Sequence, residues 1–218
     1  QKLFHKIIPD VIAECLSSAD TLPSPKGKGW GRGSYYPSSP MIGWGHPESL
    51  KSGDSHYWGV WWGMEPFEMY NQKVGRFMSE YGFQGMPSYE CLKEAGIIRE
   101  QEMKKKDANV SDDELNKMKR QGNAQYKQYV EYSVVTDSVN LRAHQKHPTG
   151  YKTINTYMDR DYKVPADFDN YVYVSQLLQA EGMKTAIEAH RRAKPYCMGT
   201  LYWQLNDCWP VTSWSSMD

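Results

Sequence analysis

Length, composition and charge limit what this protein can be. The chain has 218 residues, enough for one domain with its own core. Its 26 basic and 26 acidic residues cancel, which argues against nucleic acid or an anionic membrane surface as the main partner. No apolar run approaches the ~20 residues that a membrane-spanning helix needs.

The cysteines and the first residue carry little information about function. The four cysteines form no CxxC pair, which disfavours a zinc site and a disulfide framework; they are Cys15, Cys91, Cys197 and Cys208. Because the chain starts at Gln1 rather than at a methionine, we expect a fragment that lacks its original N-terminus. The localisation therefore stays open between a periplasmic and an intracellular compartment.

The pattern of the first 62 residues predicts a helix, a long loop and a strand. Apolar residues between Phe4 and Leu16 recur at three- and four-residue spacing and predict a helix that kinks or begins near Pro9. Residues 20–55 are rich in Gly, Pro and Ser and predict a loop, with a short strand near Tyr35-Tyr36. The aromatic and β-branched segment 56–62, HYWGVWW, predicts the next strand.

The rest of the chain alternates between helices and strands. In order, the patterns predict a short helix at 65–72, a strand at 74–81, helices at 89–106 and 112–135, a loop at 144–166, a long helix at 167–194 and a strand at 198–205. Ser111 and Glu114 form a capping-box pattern where the second of these helices begins. Such alternation indicates an α/β fold with a parallel sheet, and about four strands make about half of a closed eight-stranded barrel.

Glu80 is the residue that points most directly to catalysis. It is a lone carboxylate at the end of an apolar strand, and catalytic groups of barrel enzymes lie at such strand ends. The chain also carries eight tryptophans and sixteen tyrosines, whose rings stack on sugars. A carboxylate among aromatic residues suggests glycoside chemistry, which normally needs two carboxylates. The structural alternative is a glutamate that caps a helix or pairs with a lysine.

The aromatic strand 56–62 has two interpretations. It is either a core strand with large side chains or a platform that stacks on a pyranose ring, with His56 or Tyr57 donating to sugar hydroxyls. Strand alternation predicts that neighbouring side chains, Tyr57 and Trp58 or Val60 and Trp61, lie on opposite faces.

Three further patterns are weaker. Asp54 and His56, with His46 upstream, match no strong metal-ligand spacing. Residues 26–33, KGKGWGRG, resemble a nucleic-acid-binding loop, but one short loop in a neutral chain is weak evidence. Residues 144–148, HQKHP, are either plain surface or a polar rim that contacts a sugar. The chain contains no P-loop, GxGxxG or GxSxG pattern, so we expect neither a cofactor nor a resident metal.

Several segments together resemble one known family. The segment GRFMSEYGFQGMPSYE resembles the nucleophile strand of β-mannosidases in family two of the glycoside hydrolases. Five further stretches agree in order: LFHKIIPDVIAE, YYPSSP, SGDSHYWGVWWG, HQKHPTGY and GTLYWQLNDCWPVTSWSS. The similarity therefore covers most of the chain.

The resemblance implies a fold and a set of roles. Residues 1–218 would be the C-terminal half of a (β/α)8 TIM-barrel catalytic domain, roughly strands five to eight with their helices. Glu80 would be the nucleophile of a retaining β-glycosidase. The substrate-binding residues that the resemblance implies are Trp203, Trp58, Tyr57, His56, Trp44 and Trp62, with Trp203 on the floor of the sugar site.

The chain lacks several parts of the family pattern: the acid/base pair, strands one to four, the amino-terminal sandwich domains and any domain after the barrel. The Asn-Glu pair that carries the acid/base is absent, so we expect the isolated chain to have little or no activity. The expected partners are a glycoside substrate and the missing half-barrel and sandwich domains, or a second copy paired through open sheet edges. The alternatives are a β-galactosidase- or β-glucuronidase-like member of the same family, and a carbohydrate-binding fragment without catalysis.

Overall fold

A computed structural model describes residues 2–11, 14, 38–98, 139–165 and 167–217. Within the first of these ranges, Leu3–Ile7 forms a π-helix, in agreement with a helical opening. The strand predicted near Tyr35-Tyr36, the glycine-rich loop at 26–33 and the helix at 112–135 lie outside the described residues. In the described part of the chain, no helix combines the length and apolarity needed to cross a membrane.

The centre of the fold is a small parallel sheet. Strand β1 (Ser55–His56) pairs in parallel with β2 (Met78–Glu80), and Thr200 forms a parallel bridge with Met78 on the other side. The 198–203 segment runs along β2, since Leu201 N–H donates to Met78 O at 2.8 Å and Trp203 N–H donates to Tyr81 O at 2.8 Å. The α/β arrangement with β2 in the middle is therefore present, although the strands are shorter than predicted.

The predicted strand 56–62 is wrong after His56, because the chain turns. Trp61 and Met64 have φ values of 80° and 56°, in the left-handed region that few residues other than glycine adopt. Tyr57, Val60 and Trp61 are all buried whereas Trp58 is half-buried, so the predicted alternation of faces is also wrong. The hydroxyl of Tyr157 fixes this turn: it accepts from Trp61 N–H at 3.1 Å and donates to Glu65 O at 2.6 Å.

The structure describes six helical segments, counting the π-helix and a 3-10 helix at Phe67–Asn71. The α-helices are α1 (Tyr89–Glu94), α2 (Val139–Ala143), α3 (Gly150–Asp161) and α4 (Phe168–Arg192). Helix α4 matches the prediction closely, and the 3-10 helix lies within the predicted short helix. The predicted helix 89–106 is too long, because α1 ends before Gly96, whose φ is +69°. The loop predicted at 144–166 is wrong, because α3 occupies most of it.

The helices cover one face of the sheet. The 3-10 helix packs on α4, where Gly182 has no side chain and so admits the ring of Phe67. On the 198–205 segment, Thr200 and Tyr202 contact this layer, since Thr200 bonds to His190 and Tyr202 packs on the core. The residues that alternate with them are exposed: Leu201 at 55%, Trp203 at 46% and Leu205 at 58%. One face of the sheet is therefore core and the other presents apolar side chains.

Candidate active site

Glu80 and His56 meet at the ends of β1 and β2. The two residues are register partners in the sheet, and His56 Nδ1 lies 3.0 Å from Glu80 Oε2. Both side chains are largely shielded from water, with 18% and 23% of the side-chain surface exposed. Glu80 thus ends the central strand beside an aromatic nitrogen that can donate to it, and it neither caps a helix nor pairs with a lysine in this contact.

A second carboxylate, that of Asp54, lies near the other ring nitrogen of His56, with Oδ2 3.9 Å from Nε2. Asp54 Oδ2 accepts from the hydroxyls of Ser39 and Ser79, each at 2.5 Å, and Asp54 Oδ1 accepts from Met41 N–H at 3.2 Å. The Ser39 Oγ atom also lies 3.2 Å from His56 Nε2. Hydroxyl–oxygen distances this short are typical of charge-assisted bonds to an ionised carboxylate. Ser39 and Asp54 therefore lie on the side of His56 opposite Glu80, and Ser79 bonds to Asp54; sequence reasoning assigned none of the three to the site.

A bulge in the sheet explains this arrangement. Three residues of β2, 78–80, lie opposite two residues of β1, and the register shifts between Ser55 and His56. Two consecutive side chains, Ser79 and Glu80, consequently reach the group formed by Asp54 and His56. Regular alternation would have sent Ser79 and Glu80 to opposite faces.

Tyr57 and Arg76, which could also donate hydrogen bonds to a carboxylate, have other partners. The Tyr57 hydroxyl donates to Glu65, its ring packs against Tyr70, and burial together with Glu65 raises the pKa of this phenol. Tyr57 contacts Glu80 through its backbone, since its N–H donates to Glu80 O at 2.8 Å. Arg76 lies over the ring of Tyr196, 5.8 Å from its centroid. In the described part of the chain, the donor that faces the Glu80 carboxylate is His56.

Trp203 lies at the end of the neighbouring segment. Its backbone bonds to Tyr81, the residue after Glu80, while its indole is 46% exposed. Gly82 makes this approach feasible, because a Cβ at that position would lie 2.1 Å from Trp203 O. The peptide bond between Trp203 and Gln204 is cis. Trp203 thus lies beside the strand end that carries Glu80, as a largely exposed residue.

The three tryptophans of the 56–62 segment pack around Trp214. The Trp214 ring centroid lies 5.9 Å from Trp58, 5.7 Å from Trp61 and 6.0 Å from Trp62. Trp61 is buried, Trp58 is half-buried and Trp62 is 47% exposed, so the cluster extends from the core to the surface. Sequence reasoning missed the role of Trp214 as the centre of this cluster, although its segment was part of the resemblance.

Trp44 and the HQKHP segment occupy the periphery. Trp44 is 44% exposed in the irregular stretch between Ser39 and Asp54. His147 packs edge-on against Trp62 with ring centroids 4.4 Å apart, and both line an open cavity of about 310 Å³ beside α3. In the described ranges, no group of three or more His, Cys, Asp or Glu side chains could hold a metal ion.

The HQKHP segment makes hydrogen bonds and an ion pair with residues 207–212, near the C-terminus of the sequence. Thr212 N–H donates to His144 O and Lys146 N–H donates to Thr212 O, each at 2.9 Å. Lys146 Nζ lies 3.3 Å from Asp207 Oδ1. Burial opposes ionisation of Asp207, but the Cys208 N–H and Lys146 outweigh it and lower the pKa of this carboxyl. These contacts hold the stretch between Trp203 and Trp214 against the HQKHP segment.

Comparison with known proteins gives consistent matches. The β-mannosidases B of Thermothelomyces thermophilus and Aspergillus niger are 28% and 27% identical to this chain over 99% of its length. A solved β-D-mannosidase of Dictyoglomus thermophilum covers 98% of the chain with 31% identity and a TM-score of 0.65. No protein-family model matches. The chain spans 21% of the length of each of these proteins. It is therefore a homologue, over nearly all of its own length, of β-mannosidases, which are glycoside hydrolases.

Proposed function

We propose that this chain is the C-terminal half of the catalytic barrel of a family-two retaining β-mannosidase, with Glu80 as the nucleophile. One observation carries the proposal: in a homologue of β-mannosidases, Glu80 ends the central strand and its carboxylate faces a ring nitrogen of His56 at 3.0 Å. A carboxylate at such a strand end is where a barrel enzyme places its reacting group.

The uncovered sheet face supports a barrel that is completed by further chain. Parallel sheets are normally covered on both faces. Here helices cover one face, whereas Leu201 and Trp203 are exposed on the other. In a closed barrel, side chains of the inner face fill the interior, and those at the strand ends surround the substrate. The described sheet is therefore consistent with three consecutive barrel strands, with β2 between its two neighbours.

The proposed chemistry uses Glu80 in its ionised form. Its carboxylate attacks the anomeric carbon to give a covalent glycosyl-enzyme, and water then releases the sugar. His56 keeps the carboxylate oriented by donating to Oε2 from Nδ1. Trp203 supplies an exposed aromatic face for the sugar ring, and Trp58, Trp62 and Trp44 supply further aromatic surface around it.

We expect the acid/base group to come from outside the chain, because the Asn-Glu pair that carries it in the family is absent from the sequence. A retaining mechanism places it ~5–5.5 Å from the nucleophile. Asp54 does not suit this role, because two hydroxyls and one amide hydrogen-bond to it and favour its ionised form. Without the missing group, we expect the isolated chain to turn over substrate ~10²–10⁴-fold more slowly than a complete enzyme.

Covalent labelling tests the proposed nucleophile. The complete polypeptide that carries this chain is incubated with an activated 2-deoxy-2-fluoro-β-mannoside, digested and mapped by mass spectrometry. We expect one sugar per molecule, attached to Glu80. Glu80→Gln should remove the label and lower kcat/KM for a nitrophenyl β-mannoside by more than ~10³-fold, as loss of a nucleophile does. Label on another carboxylate would refute the assignment.

Two controls separate the role of Glu80 from general effects. Glu90→Gln changes an exposed glutamate in α1 and should leave labelling and turnover unchanged. Parallel assays with nitrophenyl β-galactoside and β-glucuronide test the sugar. Faster turnover of either one would replace the mannosidase proposal by the related specificity, while labelling of Glu80 would still support the mechanism.

A further inference from the structure

The contacts of Ser39 and Asp54 near His56 Nε2 determine which ring nitrogens of His56 carry a proton. Asp54 accepts from both Ser39 and Ser79 at 2.5 Å, distances that mark it as an ionised acceptor. A serine hydroxyl has a single proton. Since Ser39 gives its proton to Asp54, its oxygen can only accept from His56 Nε2, which lies 3.2 Å away. Nε2 must therefore carry a proton.

The other ring nitrogen faces Glu80. His56 Nδ1 lies 3.0 Å from Glu80 Oε2, so a proton lies between them. When Glu80 is ionised, as a nucleophile must be, that proton is on Nδ1 and the ring is an imidazolium. Among the described residues, the titratable groups that contact this ring are Glu80 from β2 and Asp54, which precedes β1, with Asp54 Oδ2 at 3.9 Å from Nε2.

From this geometry we propose that Asp54 is a positioning residue that acts through Ser39 to hold His56 as an imidazolium against Glu80. The imidazolium donates from both ring nitrogens at once, to Glu80 and to Ser39, and these two contacts fix the ring plane. Asp54 itself touches neither the substrate nor Glu80. The inference deepens the proposed role of Glu80 and rests on that role only for its effect on turnover.

The substitution Asp54→Asn makes a specific chemical prediction. Met41 N–H donates to Oδ1 at 3.2 Å, so an asparagine keeps its carbonyl oxygen there and turns its NH₂ toward Ser39 and Ser79. Ser39 then accepts from the amide and donates its own proton to His56 Nε2. Nε2 becomes an acceptor, and the ring becomes neutral while Nδ1 still donates to Glu80.

Nitrogen NMR of the complete protein measures directly which ring nitrogens of His56 are protonated. The chain has six histidines, so ¹⁵N-labelled histidine signals are assigned to His56 with His56→Gln. At the pH at which the enzyme is active, we expect both ring nitrogens protonated in the wild type and only Nδ1 protonated in Asp54→Asn. Ser39→Ala should also remove the doubly protonated form. Ser79→Ala is the matched control, because it deletes an equivalent Asp54 contact without touching His56.

Turnover gives the second readout. Asp54→Asn should lower kcat and the rate of Glu80 labelling together, by ~10- to 100-fold, because small misplacements of a reacting group have effects of that size. His56→Asn, whose amide can take the place of Nδ1, should retain more activity than His56→Ala. A wild-type His56 with one protonated nitrogen, or an Asp54→Asn spectrum like that of the wild type, would overturn the inference. Labelling away from Glu80 would leave the NMR result standing and refute the proposed function alone.

Discussion

At the scale of single residues, the histidines of this protein differ in what surrounds them. His56 lies between two acidic groups, whereas His190 lies in the core with 1% of its surface exposed. The Nδ1 atom of His190 lies 2.8 Å from the Thr200 hydroxyl and its ring packs edge-on against Tyr81. Its Nε2 atom has no hydrogen-bond partner among the described residues. Burial lowers the pKa of His190 to about 4 from its usual 6.5.

This environment predicts that the protein loses stability in mild acid. The unfolded chain binds a proton at His190 near pH 6.5, whereas the folded chain binds it near pH 4. As pH falls through this window, the unfolded state takes up the proton first, so the free energy of unfolding decreases by up to ~3 kcal/mol. Urea unfolding at pH 7 and pH 5 measures the loss.

The control isolates His190 from other acidic effects. His190→Gln should reduce the difference in unfolding free energy between the two pH values, although it lowers stability at both. His46→Gln, at an exposed position, should keep the wild-type difference. An unchanged pH dependence in His190→Gln would contradict the prediction.

Individual residues also show how far the sequence predicted the candidate site. Glu80 was identifiable because a carboxylate that ends an apolar strand is unusual. The His56 contact was not, because a bulge between β1 and β2 cannot be read from alternation and it brings Ser79 and Glu80 together. Ser39 lies fifteen residues before Asp54 in an irregular stretch, so no spacing rule connected the two.

At the scale of elements, helix α4 shows what periodicity can predict and α3 shows what it missed. Buried positions of α4 recur at three- and four-residue spacing, as at Tyr171, Ser175 and Leu178, and its start and end were predicted within two residues. Helix α3 has the same pattern at Tyr151, Ile154 and Met158. Polar residues between them and the preceding HQKHP segment favoured a loop. Packing of α3 against α4 decides in favour of the helix.

The start of α4 depends on one side chain. Asp167 accepts from Asn170 N–H at 3.0 Å and from the Asn170 amide at 2.9 Å. Burial opposes ionisation of this carboxyl, but the Asn170 bonds prevail and lower its pKa. Asp167→Ala should therefore lower the free energy of unfolding by ~1 kcal/mol, the usual cost of losing an N-cap. Thermal or urea unfolding at neutral pH measures it.

Asp167→Asn tests whether the cap acts by accepting a hydrogen bond. Asparagine retains an acceptor at the same position and is as good an N-cap as aspartate. We expect it to preserve most of the stability that alanine loses. Equal losses in the two variants would mean that the charge of Asp167, rather than its acceptor oxygen, stabilises the helix.

At the scale of the whole molecule, the uncovered sheet face is the dominant feature. Leu201 and Leu205 are 55% and 58% exposed beside Trp203. In the proposed complete enzyme, the other half of the barrel covers this face. In the isolated chain, we expect a second copy to cover it, since open parallel sheets with apolar faces associate. The family resemblance predicted a half barrel, but sequence patterns alone could not show which side chains it exposes.

Sedimentation of the isolated chain tests this expectation. The average mass should rise with protein concentration, and Leu201→Lys should shift the protein toward the monomer. Leu177→Lys is the matched control, because Leu177 is exposed on α4 away from the sheet and its change should leave the mass unaffected. A folded monomer at all concentrations would contradict the prediction.

The Tyr157 hydroxyl also determines the order in which the molecule can be assembled. It bonds to Trp61 and Glu65, which lie 96 and 92 residues earlier in the chain. During synthesis, the aromatic turn that carries Trp58 and Trp62 therefore leaves the ribosome long before the oxygen that fixes its backbone. The turn reaches its final shape only after α3 has been made and has docked, because such distant contacts form late. The aromatic surface next to the candidate site is thus one of the last parts of this chain to be completed.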